Sequence, residues 1–154
     1  MEAGPIEALQ SLENYVVALE GGNQMADVSA KVGAVQATAT VTMTGTAANN
    51  ETMKLCNETL TAKTSGADPE AGEFNISATP NTQADSLVLA INSMPELAGL
   101  VTAARTGTGV VTITAVIPGV MGNGLECADV NLANTAVVGF ADGSDGTEYS
   151  LASK

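Results

Sequence analysis

The stretch QATATVTMTG, residues 36–45, sets Thr38, Thr40 and Thr42 in strict alternation with Ala39, Val41 and Met43. A β-strand repeats every two residues, so this order puts hydroxyls on one sheet face and apolar groups on the other. A helix would spread both around its axis. GVVTITAV, residues 109–116, repeats the pattern with Val111, Ile113 and Ala115 against Thr112 and Thr114. Both segments predict half-buried strands, and therefore a sheet with one dry and one wet face.

The remaining pattern follows from turn chemistry. TMKLCNETLTA (52–62) reads as strand, tight Asn57-Glu58 turn and strand, with Met53, Leu55 and Leu60 pointing inward. TSGADPEAGE (64–73) reads as a loop with Asp68, Glu70 and Glu73 at an acidic tip, and EFNIS (73–77) as a short strand placing Phe74 and Ile76 on one face. TPNTQADSLVLAINSMP (79–95) is the clearest helix. Ala84, Leu87, Val88, Ile91 and Met94 fall on one side, Pro95 ends it, and Thr82 with Asp85 resembles a capping pair. LVTAAR (100–105) and GVVTITAV form a hairpin around TGTG, IPGVMGNG (117–124) is a loop, and LECADVNL and TAVVGFADG suggest a final strand pair.

Ahead of the strands, GPIEALQSLENYVVALEGG (4–22) predicts a helix. Pro5 suits its first turn, Gly21-Gly22 its end, and Ile6, Leu9, Leu12, Val16 and Leu19 make an apolar stripe. Such a helix either lies on its own domain or docks on a neighbouring subunit, since a short amphipathic helix is marginal alone in water. NQMADVSAKVGAV continues as a helical turn or an extended connector. The expected organisation is an arm and connector over 1–36, a β-rich domain over 37–148 and a tail over 149–154. The fold class is α+β: a sandwich-like β-rich body with one central helix packed on the sheet, preceded by the helical arm.

Composition narrows the function. Seventeen acidic residues against five basic ones give a formal net charge of −12, and the basic residues are scattered. Phosphate-backbone binding needs clustered Lys and Arg, so neither direct nucleic-acid contact nor an anionic membrane surface is expected. No apolar run approaches a membrane span, and MEAGPIEALQ lacks the basic-then-apolar order of a signal peptide, so synthesis in a cytoplasm without export by that route is expected. The sequons at Asn50, Asn57 and Asn75 then carry no meaning for glycosylation. Cys56 and Cys127 form no CxxC pair; packed thiols are the expected state, while a particle that ends outside a cell could acquire a disulfide.

The chain has no histidine, which removes His-based acid–base catalysis and His metal ligands. No G-x-S-x-G elbow, Walker loop or dinucleotide fingerprint occurs. The acidic tip has no aromatic platform beside it, so a solvated loop explains it better than a glycosidase pair. Asp142, Asp145 and Glu148 in ADGSDGTEY are oxygen ligands on a glycine-bearing loop, a composition calcium favours, but the EF-hand order is absent and a polar turn is the default. No enzyme activity and no cofactor are expected.

GTGVVTITAVIPGVMGNGLE (107–126) resembles a segment recurring in tailed-bacteriophage virion proteins: a strand ending in TA, a PG loop, then GN and another strand. MKLCNETLTA is similar to the first hairpin of that pattern, FNISATPNTQADSLVLAINSMPEL to its short strand and following helix, and FADGSDGTEY to its closing turn. The likeness runs from Val41 to Glu148. It covers small β-rich domains of contractile-tail sheath proteins, and the chain has no room for the large sheath core. It therefore implies a virion structural protein made in the host cytoplasm. A capsid decoration or cement protein bridging major capsid protein subunits is the first expectation, as a homo-oligomer with a trimer favoured. A tail, neck or fibre component is the alternative, and a host-surface or glycan-binding module a further one.

Overall fold

The computed structural model describes the backbone of residues 29–150 and the side chains of 32–147. The chain divides into two compact units, Ala34–Asp145, and Met1–Gly33 together with Gly146–Lys154. In the smaller unit, β1 (Ser29–Val32) pairs antiparallel with β10 (Thr147–Ser150), placing Lys31 opposite Glu148.

The larger unit holds β2 (Thr38–Met43), β3 (Thr52–Leu55), β4 (Glu58–Lys63), β5 (Glu73–Asn75), helix α1 (Pro80–Ser93), β6 (Val101–Gly107), β7 (Val110–Ala115), β8 (Cys127–Asp129) and β9 (Thr135–Ala141). They form two four-stranded sheets, ordered β6-β7-β2-β9 and β5-β4-β3-β8. The architecture is α+β, as expected. The helix packs along β6 and β5, the outer strands of the two sheets, while β8 and β9 approach each other at the opposite edges. It thus fills the open side between the sheets as well as lying on one of them.

The period-two strands behave as their sequence dictates. Ala39, Val41 and Met43 of β2 and Val111, Ile113 and Ala115 of β7 are buried. On the other face the ladder sets Thr38 opposite Thr114 and Thr40 opposite Thr112, cross-strand pairs that suit a wet sheet surface. Met53, Leu55, Leu60 and Phe74 close the core from the second sheet, and Leu87, Ala90 and Ile91 from the helix; Ile76 and Val88 are only half-buried. Apolar aliphatic side chains fill this core, with Phe74 and Phe140 its buried aromatics among the described residues.

Three expectations need correction. The β3–β4 turn is Cys56-Asn57, not Asn57-Glu58, because Leu55 pairs with Glu58. Both turn residues have positive φ, 51° and 70°, as the tightest hairpin turns require. The Thr82–Asp85 cap does not form. Pro80, with its preset φ and no N–H to satisfy, occupies the first helical position and leaves Thr82 inside the first turn. Asp85 instead meets Arg105 of β6 at 2.6 Å. Finally, β8 and β9 are not partners. β8 pairs with β3 and β9 with β2, so Val130–Asn134 carries the chain from one sheet to the other. Asn131 fixes that crossing by accepting the Thr52 N–H at 2.7 Å.

The acidic tip is ordered by its own hydrogen bonds. Asp68 caps a short 3-10 turn, Pro69–Ala71, and donates its N–H to Glu73, which also lies 3.4 Å from the Lys63 ammonium. The Asp68 N–H holds the Glu73 carboxyl below its ordinary value; slight desolvation opposes this and Lys63 adds to it. A depressed folded value contributes stability that is complete above the ordinary glutamate range and fades as pH falls through the lowered value. A carboxyl-carbon NMR titration should therefore give Glu73 a midpoint below that of glutamate in a short peptide, and Lys63→Ala should raise it part of the way back.

Candidate interface: an apolar groove beside the Pro-Gly loop

IPGVMGNG leaves β7 at the end of the first sheet and contains a 3-10 turn, Val120–Gly124. Its backbone is tied down on several sides. Gly119 donates to Val35 O at 3.0 Å, and Val120 donates to the Asp145 carboxylate at 2.9 Å. Asn123 exchanges two hydrogen bonds with Gly143, at 2.8 and 3.0 Å. Gln36 donates to Val116 O at 2.8 Å. Gly122 is buried so closely on the first sheet that a Cβ there would stand 2.9 Å from the Ala37 methyl. With its polar groups used inward, the loop turns apolar side chains outward. Ile117 is 72% exposed and Met121 85%.

Beside them runs a groove of about 390 Å³ lined by Gly99, Leu100, Ile117, Met121, Gly122 and Leu125, with Ala115 at its base. No charged residue stands between Arg105 and Glu126, in a chain that carries seventeen acids. Contiguous exposed apolar surface is a candidate binding surface, because its burial releases free energy. From sequence this segment reads as a loop, and nothing there singles out Ile117, Val120 or Met121. Apolar residues are taken as core by default, and only the inward hydrogen bonding of the backbone shows that these face solvent. The absence of charge across the whole segment was the available signal.

The residues singled out from sequence fall elsewhere. Ile6, Leu9, Leu12, Val16 and Leu19 lie outside the described residues. Asp142 follows β9 at a φ of 67°, Asp145 anchors the Pro-Gly loop, and Glu148 lies in β10. Among the described residues no group of three His, Cys, Asp or Glu side chains is placed to hold a metal ion. Phe74 and Phe140 are buried, so neither offers a stacking platform for a sugar. Among the described residues no helix is long and apolar enough to cross a membrane. Compared with protein-family models, curated proteins and solved structures, the chain matches none.

Proposed function

We propose that this chain is a structural protein of a tailed-bacteriophage particle, acting as a decoration or cement protein on the capsid and working by adhesion rather than by catalysis. The observation that carries the reading is the outward turn of Ile117 and Met121 on a hydrogen-bonded loop. That loop lies within the segment whose motif resembles phage virion proteins.

Magnitudes say how such a protein must work. Burying one large aliphatic side chain contributes about 1.5–3 kcal/mol, so the two most exposed groups supply roughly 3–6 kcal/mol. Association costs about 4–15 kcal/mol in lost freedom, so one groove on one copy holds weakly. Several copies joined in a symmetric oligomer, with a trimer favoured, engage several grooves at once and multiply the effect through effective concentration. The partner is a shell subunit with an apolar projection. The net charge of −12 disfavours the packaged nucleic acid as a partner.

Gold-labelled antibody against the chain, applied to intact tailed-phage particles purified from the cells that make it, should decorate heads. Label confined to tails would replace the capsid reading by a tail, neck or fibre role, and particles without label would overturn the virion reading altogether.

A further inference from the structure

Cys56 and Cys127 sit on neighbouring chain segments. Leu55 is the ladder partner of Cys127, and the next residue, Cys56, donates its N–H to Glu126 O at 2.9 Å. Cys56 is thus one rung across and one residue along from Cys127. Regular ladder spacing, about 5 Å between paired Cα atoms and about 3.3 Å of rise, would put the two Cα atoms about 6 Å apart. A disulfide spans Cα separations of about 4.4–6.8 Å. Both thiols are free, Cys127 belongs to the core cluster and Cys56 packs against that same cluster. Cys56 also adopts a φ of 51° in a hairpin turn, a position that Asn, Asp or Gly fills without strain.

We propose that Cys56 and Cys127 are a redox modification site, converted by a small-molecule disulfide into one intramolecular disulfide that ties the β3–β4 turn to β8. Cys56, half-exposed, reacts first. Its thiolate attacks one sulfur of the oxidant, a mixed disulfide forms, and one small thiol leaves. The Cys127 thiolate then attacks the Cys56 sulfur, the Cys56–Cys127 bond forms, and the second small thiol leaves. The two electrons lost by the protein thiols reduce the oxidant, and their two protons end on the released thiols or in solvent. Burial raises the Cys56 thiol, with Glu126 adding to it, and burial pushes Cys127 up to about 12, with Cys56 and Glu126 contributing. Both stay protonated at neutral pH, so the exchange is slow there. β8 is a three-residue strand at the end of its sheet, and its local opening admits the second step. This inference stands apart from the particle assignment.

The purified full chain, incubated with oxidised glutathione in mildly alkaline buffer, is quenched in acid, unfolded, alkylated and weighed by mass spectrometry. The expected product is a monomer that has lost its two thiol hydrogens and takes up no alkylating agent until reduced. Cys127→Ala should stop at the mixed disulfide, with glutathione held on Cys56. Full alkylation of both cysteines in the treated wild-type chain, a persistent glutathione adduct on it, or cross-linking between molecules would overturn the proposal. The wild-type result decides the matter even if the Cys127 variant fails to fold.

Discussion

Replacing Gly109 with alanine is expected to destabilise the Ala34–Asp145 unit by about 3 kcal/mol, lowering its melting midpoint by roughly 15 °C. Gly109 precedes β7 at a φ of 68°, where any L side chain is strained. A methyl group there would also press on the Met43 carbonyl oxygen and stand 3.0 Å from Pro80 Cβ. Those neighbours have little freedom to retreat. Met43 donates its N–H to Gly109 O at 2.8 Å, and Gly109 donates to the Asn81 side chain at 2.8 Å. One residue thus joins the end of β2, the start of β7 and the first turn of α1. Displacing it disturbs all three contacts together. Thermal or urea unfolding of Gly109→Ala checks the figure, and a loss below about 1 kcal/mol would mean that the turn yields more easily than its contacts imply.

Gln83→Leu should cost a similar amount by a different route. Gln83 is a fully buried polar side chain on the core side of α1. Its Oε1 accepts the N–H groups of Ala47 and Ser77, at 3.2 and 3.1 Å, and its Nε2 donates to Gly45 O at 3.2 Å. It therefore satisfies two loops that approach the helix from different parts of the chain. Leucine fits the volume but leaves the buried Ala47 N–H and the half-buried Ser77 N–H and Gly45 carbonyl without their side-chain partner. At about 1–3 kcal/mol for each buried group left unsatisfied, the loss is about 3 kcal/mol after allowing for the apolar gain. Denaturant unfolding gives the value. Amide hydrogen exchange should place the weakening at Ala47 and Ser77, whose N–H groups lose protection first.

The parts of this fold that were legible in sequence share one property: their period is local. TATVTM and VVTITA commit their own faces, and SLVLAI shows a helical stripe, without reference to any partner. Partnership itself was not legible. Nothing in CAD or TAVVGFA says that one strand joins β3 and the other β2, because the choice is made by the corner at Asn131 and Leu132. The parallel pairing of β5 with β4 is hidden for the same reason, since the Pro69–Ala71 turn that permits it reads as an acidic loop. The turn shifted by one residue because Cys56 is an unexpected occupant of a positive-φ position.

The groove was the hardest feature to foresee. Alternation assigns Val111, Ile113 and Ala115 correctly to the core and gives no reason to stop at Val116. What reverses the environment is the ring of hydrogen bonds from Val35, Gln36, Gly143 and Asp145, contributed by segments far away in sequence. These bonds hold the loop backbone inward and leave Ile117 and Met121 to the solvent.

Adhesion through that groove is tested most directly by the double variant Ile117→Asp, Met121→Asp, sedimented with phage particles that lack this chain. Both side chains are largely outside the core, so the variant should melt like the wild type while its binding to particles weakens by more than about a hundredfold. A folded double variant that co-sediments as fully as the wild type would contradict the account.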